Sequence, residues 1–476
     1  MIGRVGHWVD DRLGLSAFAR RTLRKVFPDH WSFLLGEVAL YSFLMLVITG
    51  IFLTFFFKPS LEQTTYQGSY EQLRGVPMSE AYNSAVRLSF DVRAGLVMRQ
   101  IHHWAALVFL GAIFAHLCRV FFTGAFRKPR ELNWLVGVTL LLLALVNGFF
   151  GYSLLDDLLS GTGLRIMYSV VLAVPIVGTW AAFLIFGGEF PAHDIITRLF
   201  VLHVLLVPAA IAVLLTAHLM IIWKQKHTQF PGPDRREDNV VGTRLWPTYT
   251  AKSVGLFFLV AAVLCALGGL VQINPVWLYG PFEPSAVTTA AQPDWYMGWL
   301  EGALRLFPAW SFRIGPFTIS ELFWPAVLLP GLTFALLYAW PFLEQWRTKD
   351  YAEHHLLSRP RDSAARTAIG LGTFTFYFVL FLAGSQDVIS QILHVDVVAV
   401  YWWLRILLVV LPPVIGFATY KFCRQLAEGT REEAIRRTIE DAERERHPIP
   451  ALAAASAPGP PGPSEPSWPS ADPPPH

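Results

Sequence analysis

Charge is scarce in this chain of 476 residues: Asp, Glu, Lys and Arg make up 15% of it, against about 25% in a typical soluble domain. Set beside a hydrophobic share of 54%, that deficit excludes an ordinary soluble globular protein. Cysteine is nearly absent. Cys118, Cys265 and Cys423 are scattered in or beside apolar stretches, which excludes a disulfide framework, a cysteine zinc site and a C-x-x-C-H run. Nothing before Trp31 reads as a cleavable leader, because the segment is basic and amphipathic with no apolar core ending at small residues. The net charge of +3 gives no basic surface of the kind nucleic acid requires, so no nucleic-acid partner is expected.

Long apolar runs are what the chain has instead. Phe33 to Phe57, Leu96 to Phe122, Trp134 to Tyr152, Ile195 to Trp223, Val254 to Val271, Leu322 to Trp340, Ile369 to Ala383 (with its flanks) and Tyr401 to Phe422 can each cross a bilayer. A ninth stretch, Ile166 to Phe186, is interrupted by Pro175 and Gly178, and hydropathy reads it as either a span or a re-entrant hairpin. Counting eight spans, Lys and Arg concentrate in the N-terminal segment, in the loops on its side and after the last span. That bias puts both termini in the cytoplasm of a multi-pass cell-membrane protein, and a ninth span would destroy it. The expected fold is all-α, with eight transmembrane helices of which the first four form a four-helix bundle. The expected divisions are an amphipathic segment (1–32), the bundle (33–245), a second four-helix domain with a long outer loop (246–424), a charged helix (425–447) and a disordered Pro/Ala/Ser-rich tail (448–476).

Histidine inside a span is costly and therefore a functional signal. His102 and His116 are 14 residues apart on the second span, about 40° apart in azimuth and about 21 Å in height. His203 and His218, on the parallel fourth span, are 15 apart, about 60° in azimuth and about 22 Å in height. His103 is about 140° off the face of His116 and is set aside as a ligand. Pairing His102 with His203 near the outer side, and His116 with His218 near the inner side, gives two bis-imidazole layers. Two low-spin, non-covalently held b-type haems need that arrangement. Gly36 and Gly50 on the first span, and Gly137 and Gly151 on the third, repeat the 14-residue spacing. They leave room for a macrocycle wedged between helices, or they simply let helices pack closely. Arg99 and Arg119, three residues outside the two histidines of the second span, are placed to pair with haem propionates or to snorkel at the membrane boundary.

With these residues go Arg-Gln-Ile-His-His-Trp at 99–104, Pro-Arg-Glu-Leu-Asn-Trp at 129–134, Gly-Tyr-Ser-Leu at 151–154, Pro175-Ile-Val-Gly178 and Pro293-Asp294-Trp295-Tyr296. The ordered set resembles cytochrome b of the bc-type complexes over about residues 28 to 425. The undivided chain, its tail and its Pro-Asp-Trp-Tyr are most similar to the actinobacterial cytochrome bcc complex. The resemblance implies a quinol:cytochrome c reductase working by a Q-cycle, with quinol oxidised at an outer site and quinone reduced at an inner one. It implies a Rieske iron–sulfur subunit, a cytochrome c subunit of dihaem type, association with a terminal cytochrome c oxidase and a homodimeric complex. It favours menaquinone. Asp294 stands where the family has a proton-accepting glutamate, Tyr296 completes the motif, and Glu301 is a second candidate for proton exit. His227 is a candidate at the inner quinone site. Ser253 stands where mitochondrial relatives carry a quinone-binding aspartate. No cysteine precedes Cys118, so a covalently held extra haem is not expected.

Two rival readings share some of these residues. A dihaem anchor for another quinone-linked oxidoreductase needs fewer spans and has no use for the outer-loop motif. A proton-coupled transporter using intramembrane histidines needs neither haem nor paired ligands at matched depth.

Overall fold

The computed structural model describes residues 2–286 and 292–446. Eight of its helices are long and apolar enough to cross a bilayer: Trp31–Thr54, Gly95–Thr123, Glu131–Ser153, Ile195–Gln225, Leu245–Leu270, Trp324–Thr348, Ala364–Gly384 and Val397–Thr430. At most 33% of the most apolar window of any of them is buried within the protein, so the remaining apolar surface requires a non-aqueous surrounding. We call them the first to eighth spans, and the two membrane faces the near side, where the N-terminus lies, and the far side.

The interrupted stretch between the third and fourth spans is not a ninth crossing. It forms two short helices, Leu158–Leu172 and Gly178–Phe186, packed on each other and broken around Pro175. Asp157 starts the first by accepting hydrogen bonds from the backbone of Leu159 and Ser160, with Ser160 bonding back. The chain reverses through Ile176 at φ 69°. A Cβ on Gly178 would stand 2.5 Å from the Leu172 carbonyl oxygen, so only glycine permits the close approach. Val171, Ala182, Phe186, Ile195 and Leu199 seal the hairpin onto the fourth span.

The first span packs along the second, the third along the fourth, and the fifth against the first and second. The sixth span lies on the third, where Trp134 Nε1 donates to the Leu337 carbonyl at 2.6 Å. The Gln100 side chain exchanges two hydrogen bonds with the backbone of Ile273 (2.7 and 3.0 Å), clamping the second span to the chain leaving the fifth. The far-side loop after the fifth span carries a short helix, Gly298–Leu306, that packs on the seventh span, and a small hairpin, Phe312–Ile314 with Phe317–Ile319. At the near side, two helices, Ile2–Leu13 and Leu15–Leu23, precede the strand pairing of Val26–Phe27 with Thr243–Arg244.

The fourth span is not a uniform α-helix. Leu202–Leu206 is a π turn, closed by the Val207 N–H donating to the Leu202 carbonyl. Pro208 follows immediately and cannot donate to the carbonyl four residues back, which favours the wider turn at this point.

Contacts divide the chain into one compact unit up to Arg424 and a second from Gln425. The last helix runs Val397–Arg446, and in its charged part Arg436 pairs with Glu440 at 3.1 Å. The Pro-rich stretch from Pro448 lies outside the described residues.

Candidate functional site

The four intramembrane histidines meet as two pairs. The rings of His102 and His203 have centroids 6.2 Å apart and planes at 76°; those of His116 and His218 are 6.4 Å and 75°. An iron bonded to one nitrogen of each ring at about 2 Å, with about 1.1 Å from nitrogen to ring centre, gives about 6.2 Å. Both layers therefore have the spacing of a bis-imidazole haem. In the far layer Nδ1 of His102 lies 2.9 Å from Thr49 Oγ1, and Nδ1 of His203 lies 3.0 Å from the Asn147 carbonyl oxygen. Those partners fix the rings and leave Nε2 of each as the nitrogen open to a metal.

The near-identity of the layers corrects the helical arithmetic. Fifteen residues of α-helix would leave His203 and His218 about 60° apart, but a π turn takes up one residue beyond an α-helical turn. The 15-residue spacing thus acts as one of 14, in step with His102 and His116.

Each glycine of the two spaced pairs stands against one imidazole. A Cβ on Gly36 would meet His116 at 3.4 Å, on Gly50 His102 at 3.3 Å, on Gly137 His218 at 3.6 Å and on Gly151 His203 at 2.4 Å. What faces these glycines is therefore the imidazole rings, one glycine to one histidine.

Arg99 and Arg119, at the two ends of the second span, carry buried guanidinium nitrogens with no partner among the described residues. Arg99, 6% exposed, donates to the Asn274 carbonyl at 3.1 Å while its Nε has no partner. Arg119 lies over the Phe33 ring with Nε and one terminal nitrogen unpartnered. Buried cations without an acceptor are costly, so both positions suit an anionic group supplied from outside the chain.

On the far side, Phe149, Tyr152, Met167, Asp294, Tyr296 and Glu301 are among the residues that line a mainly apolar cavity between the third span, the hairpin and the loop helix. Asp294 Oδ1 lies 2.8 Å from His103 Nε2, and the Tyr296 hydroxyl is held beside the same carboxylate. Burial, then the Asp294 charge, raises Tyr296 well above the ordinary tyrosine range, so its hydroxyl stays protonated and can donate. The histidine set aside as a ligand is thus the partner of the candidate proton acceptor. Its direction, off the face of His116, is readable from helix azimuth, but its partner 191 residues away is not. Glu301 is ion-paired with Arg305 at 3.0 Å, and Arg305 also holds Asp387 at 2.9 Å.

On the near side, His227 is half-buried and its ring lies 4.5 Å from that of Phe27, which stacks at 4.5 Å on Tyr249. Burial, with Lys25, Arg130 and Arg119 nearby, pushes His227 down to about 4, so it is a neutral imidazole at physiological pH. Ser253 donates to Glu37 at 2.6 Å.

A family model described as cytochrome b(N-terminal)/b6/petB matches residues 107–281. The cytochrome bc1 complex cytochrome b subunit of Mycobacterium tuberculosis is 52% identical over 432 residues, covering 90% of this chain and 78% of its own length. That of Streptomyces coelicolor is 49% identical over 433 residues, covering 91% and 79%. A solved structure titled hyperthermophilic respiratory Complex III superposes with a TM-score of 0.65 at 20% identity, over 87% of this chain and 99% of that one, which is a likeness of fold.

Proposed function

The chain belongs to the cytochrome b subunits of the bc1 complex, the quinol:cytochrome c reductase of Complex III, and from that premise we propose how its own residues serve the reaction. His102 with His203, and His116 with His218, hold two b-type haems; the matched spacing of the two ring pairs is the observation that carries this. Haem held by two imidazoles supplies one-electron chemistry and, with no free axial position, does not bind oxygen. Arg99 and Arg119 receive propionates on guanidinium nitrogens that are otherwise buried and unpaired. The glycines facing the imidazoles keep each ring seated.

Quinol oxidation belongs to the far-side cavity. A quinol hydroxyl reaching Asp294 loses its proton to the carboxylate, while His103 holds that carboxylate from one side and the protonated Tyr296 hydroxyl from another. Glu301, held by Arg305, stands on the same wall as a way out for protons. The far side is then the outer face of the cell membrane and both termini are cytoplasmic, in keeping with the Lys and Arg bias of the near-side loops. Quinone is reduced on the near side, beside His227. The bc1 complex has several subunits; a Rieske protein and a dihaem cytochrome c are the partners this reading names, and menaquinone the substrate.

Reduced-minus-oxidised spectra of the purified complex test the assignment. Two b-type haems per chain are expected, falling to one in His102→Ala or His116→Ala, whereas His103→Ala keeps both and slows quinol oxidation about 10²-fold. Fewer than two haems in the unaltered protein, or loss of haem in His103→Ala, would contradict it.

A further inference from the structure

Ser253 leaves the near-side quinone site without the aspartate that the resemblance leads one to expect, and the structure shows a carboxylate at that place from another helix. Glu37, on the first span, accepts hydrogen bonds from the Tyr249 hydroxyl on Oε1 and the Ser253 hydroxyl (2.6 Å) on Oε2, and the Tyr41 hydroxyl lies 3.3 Å from Oε2. Tyr41 and Ser253 are themselves 2.5 Å apart. Each oxygen of an ionised carboxylate has about two acceptor positions, so Tyr249 leaves one free on Oε1. The group is tied to both features already placed on this side. Tyr249 stacks on Phe27, whose other neighbour is the His227 ring, and the residue before Glu37 is Gly36, which abuts the His116 imidazole.

We propose that Glu37 is the proton-donating carboxylate of the near-side quinone site, filling from the first span the role left vacant at Ser253. This rests on the reading above that quinone is reduced there. Quinone takes two protons and two electrons, one electron from each of two quinols oxidised in turn at the Asp294 cavity, the other electron of each leaving to the iron–sulfur partner. One proton comes from Glu37: its carboxyl O–H bond breaks as a quinone oxygen gains the proton, and near-side water reprotonates the carboxylate. The second proton comes from the same water. Tyr249, Tyr41 and Ser253 hold the carboxylate in place and stabilise it while it is ionised.

The test uses the complex with its b haems chemically reduced, mixed rapidly with a short-chain naphthoquinone while the far-side cavity is blocked by a tight-binding quinol analogue. Glu37→Gln is expected to keep both haem bands and slow reoxidation at least tenfold, and Ser253→Asp in that background is expected to restore much of the rate. Reoxidation at the unaltered rate in Glu37→Gln overturns the proposal, and so does loss of a haem band in that variant, which would make the residue structural. Failure of the unaltered complex to be reoxidised at all refutes instead the reading on which the proposal rests, and the two failures are told apart by that control.

Discussion

Gly151 and Gly137 face equivalent histidines but differ in the room they have. A methyl on Gly151 would stand 2.4 Å from His203 Cε1, while one on Gly137 would stand 3.6 Å from His218 Cε1, an ordinary contact. Gly151→Ala should displace His203 and cost the far-side haem, whereas Gly137→Ala should keep both, with about 1 kcal/mol of gained helix propensity; haem content per chain separates the two. Asp156, just past the third span, offers a test by pH. Burial, with Asp157 beside it, raises its carboxyl from 3.8 to about 7, against the pull of Ser79. The folded state therefore holds a proton that the unfolded state has released between about pH 4 and 7, and stability falls as pH rises through that window. Asp156→Asn should melt higher than the unaltered protein at pH 8, and the gap should close toward pH 4. The four histidines of the two proposed haem layers are legible in the sequence because an ionisable group inside a span and a helical period suffice to find them. Asp294 is legible only through its motif; Glu37 is visible as a carboxylate inside the first apolar run, but its partners Tyr249 and Ser253 on the fifth span are not, since nothing in the sequence places those two spans together.

Elements behave differently from residues in this respect. Eight spans follow from hydropathy and the distribution of Lys and Arg, because each run must satisfy its own backbone in lipid. The stretch from Ile166 to Phe186 stays ambiguous in sequence, since its apolar content is that of a span. What decides it is a chain reversal at Ile176 and a contact at Gly178, both of backbone. The π turn at Leu202–Leu206 is likewise invisible to periodicity, and it makes a spacing of 15 equivalent to one of 14. Deleting Leu205 together with Pro208→Ala should turn this region into plain α-helix and keep both haems. Deleting Val108 from the regular second span should rotate its histidines about 100° out of step and cost a haem. Spectra of the two deletions compare them directly.

At the scale of the molecule, a buried ion pair ties the sixth and seventh spans together at the near side. Arg366 of the seventh span, 6% exposed, gives Nε and a terminal nitrogen to the Glu344 carboxylate of the sixth, the latter at 2.5 Å. Glu344→Ala strands that buried guanidinium and should lower stability by about 3–5 kcal/mol, seen as an earlier thermal transition in detergent with haem content unchanged at low temperature. The two ligand layers also have an electrical meaning. Their separation, about 21 Å of helix, is some two-thirds of a hydrocarbon core about 30 Å thick. A whole charge crossing the membrane against 100 mV costs about 2.3 kcal/mol, so with haems in both layers, as proposed, moving an electron from the far layer to the near one against that voltage costs about 1.5 kcal/mol. With the near side negative, as the proposed orientation has it, the electron's equilibrium between the proposed haem layers shifts roughly tenfold toward the far one for each 100 mV, and the pair of layers becomes a gauge of membrane voltage.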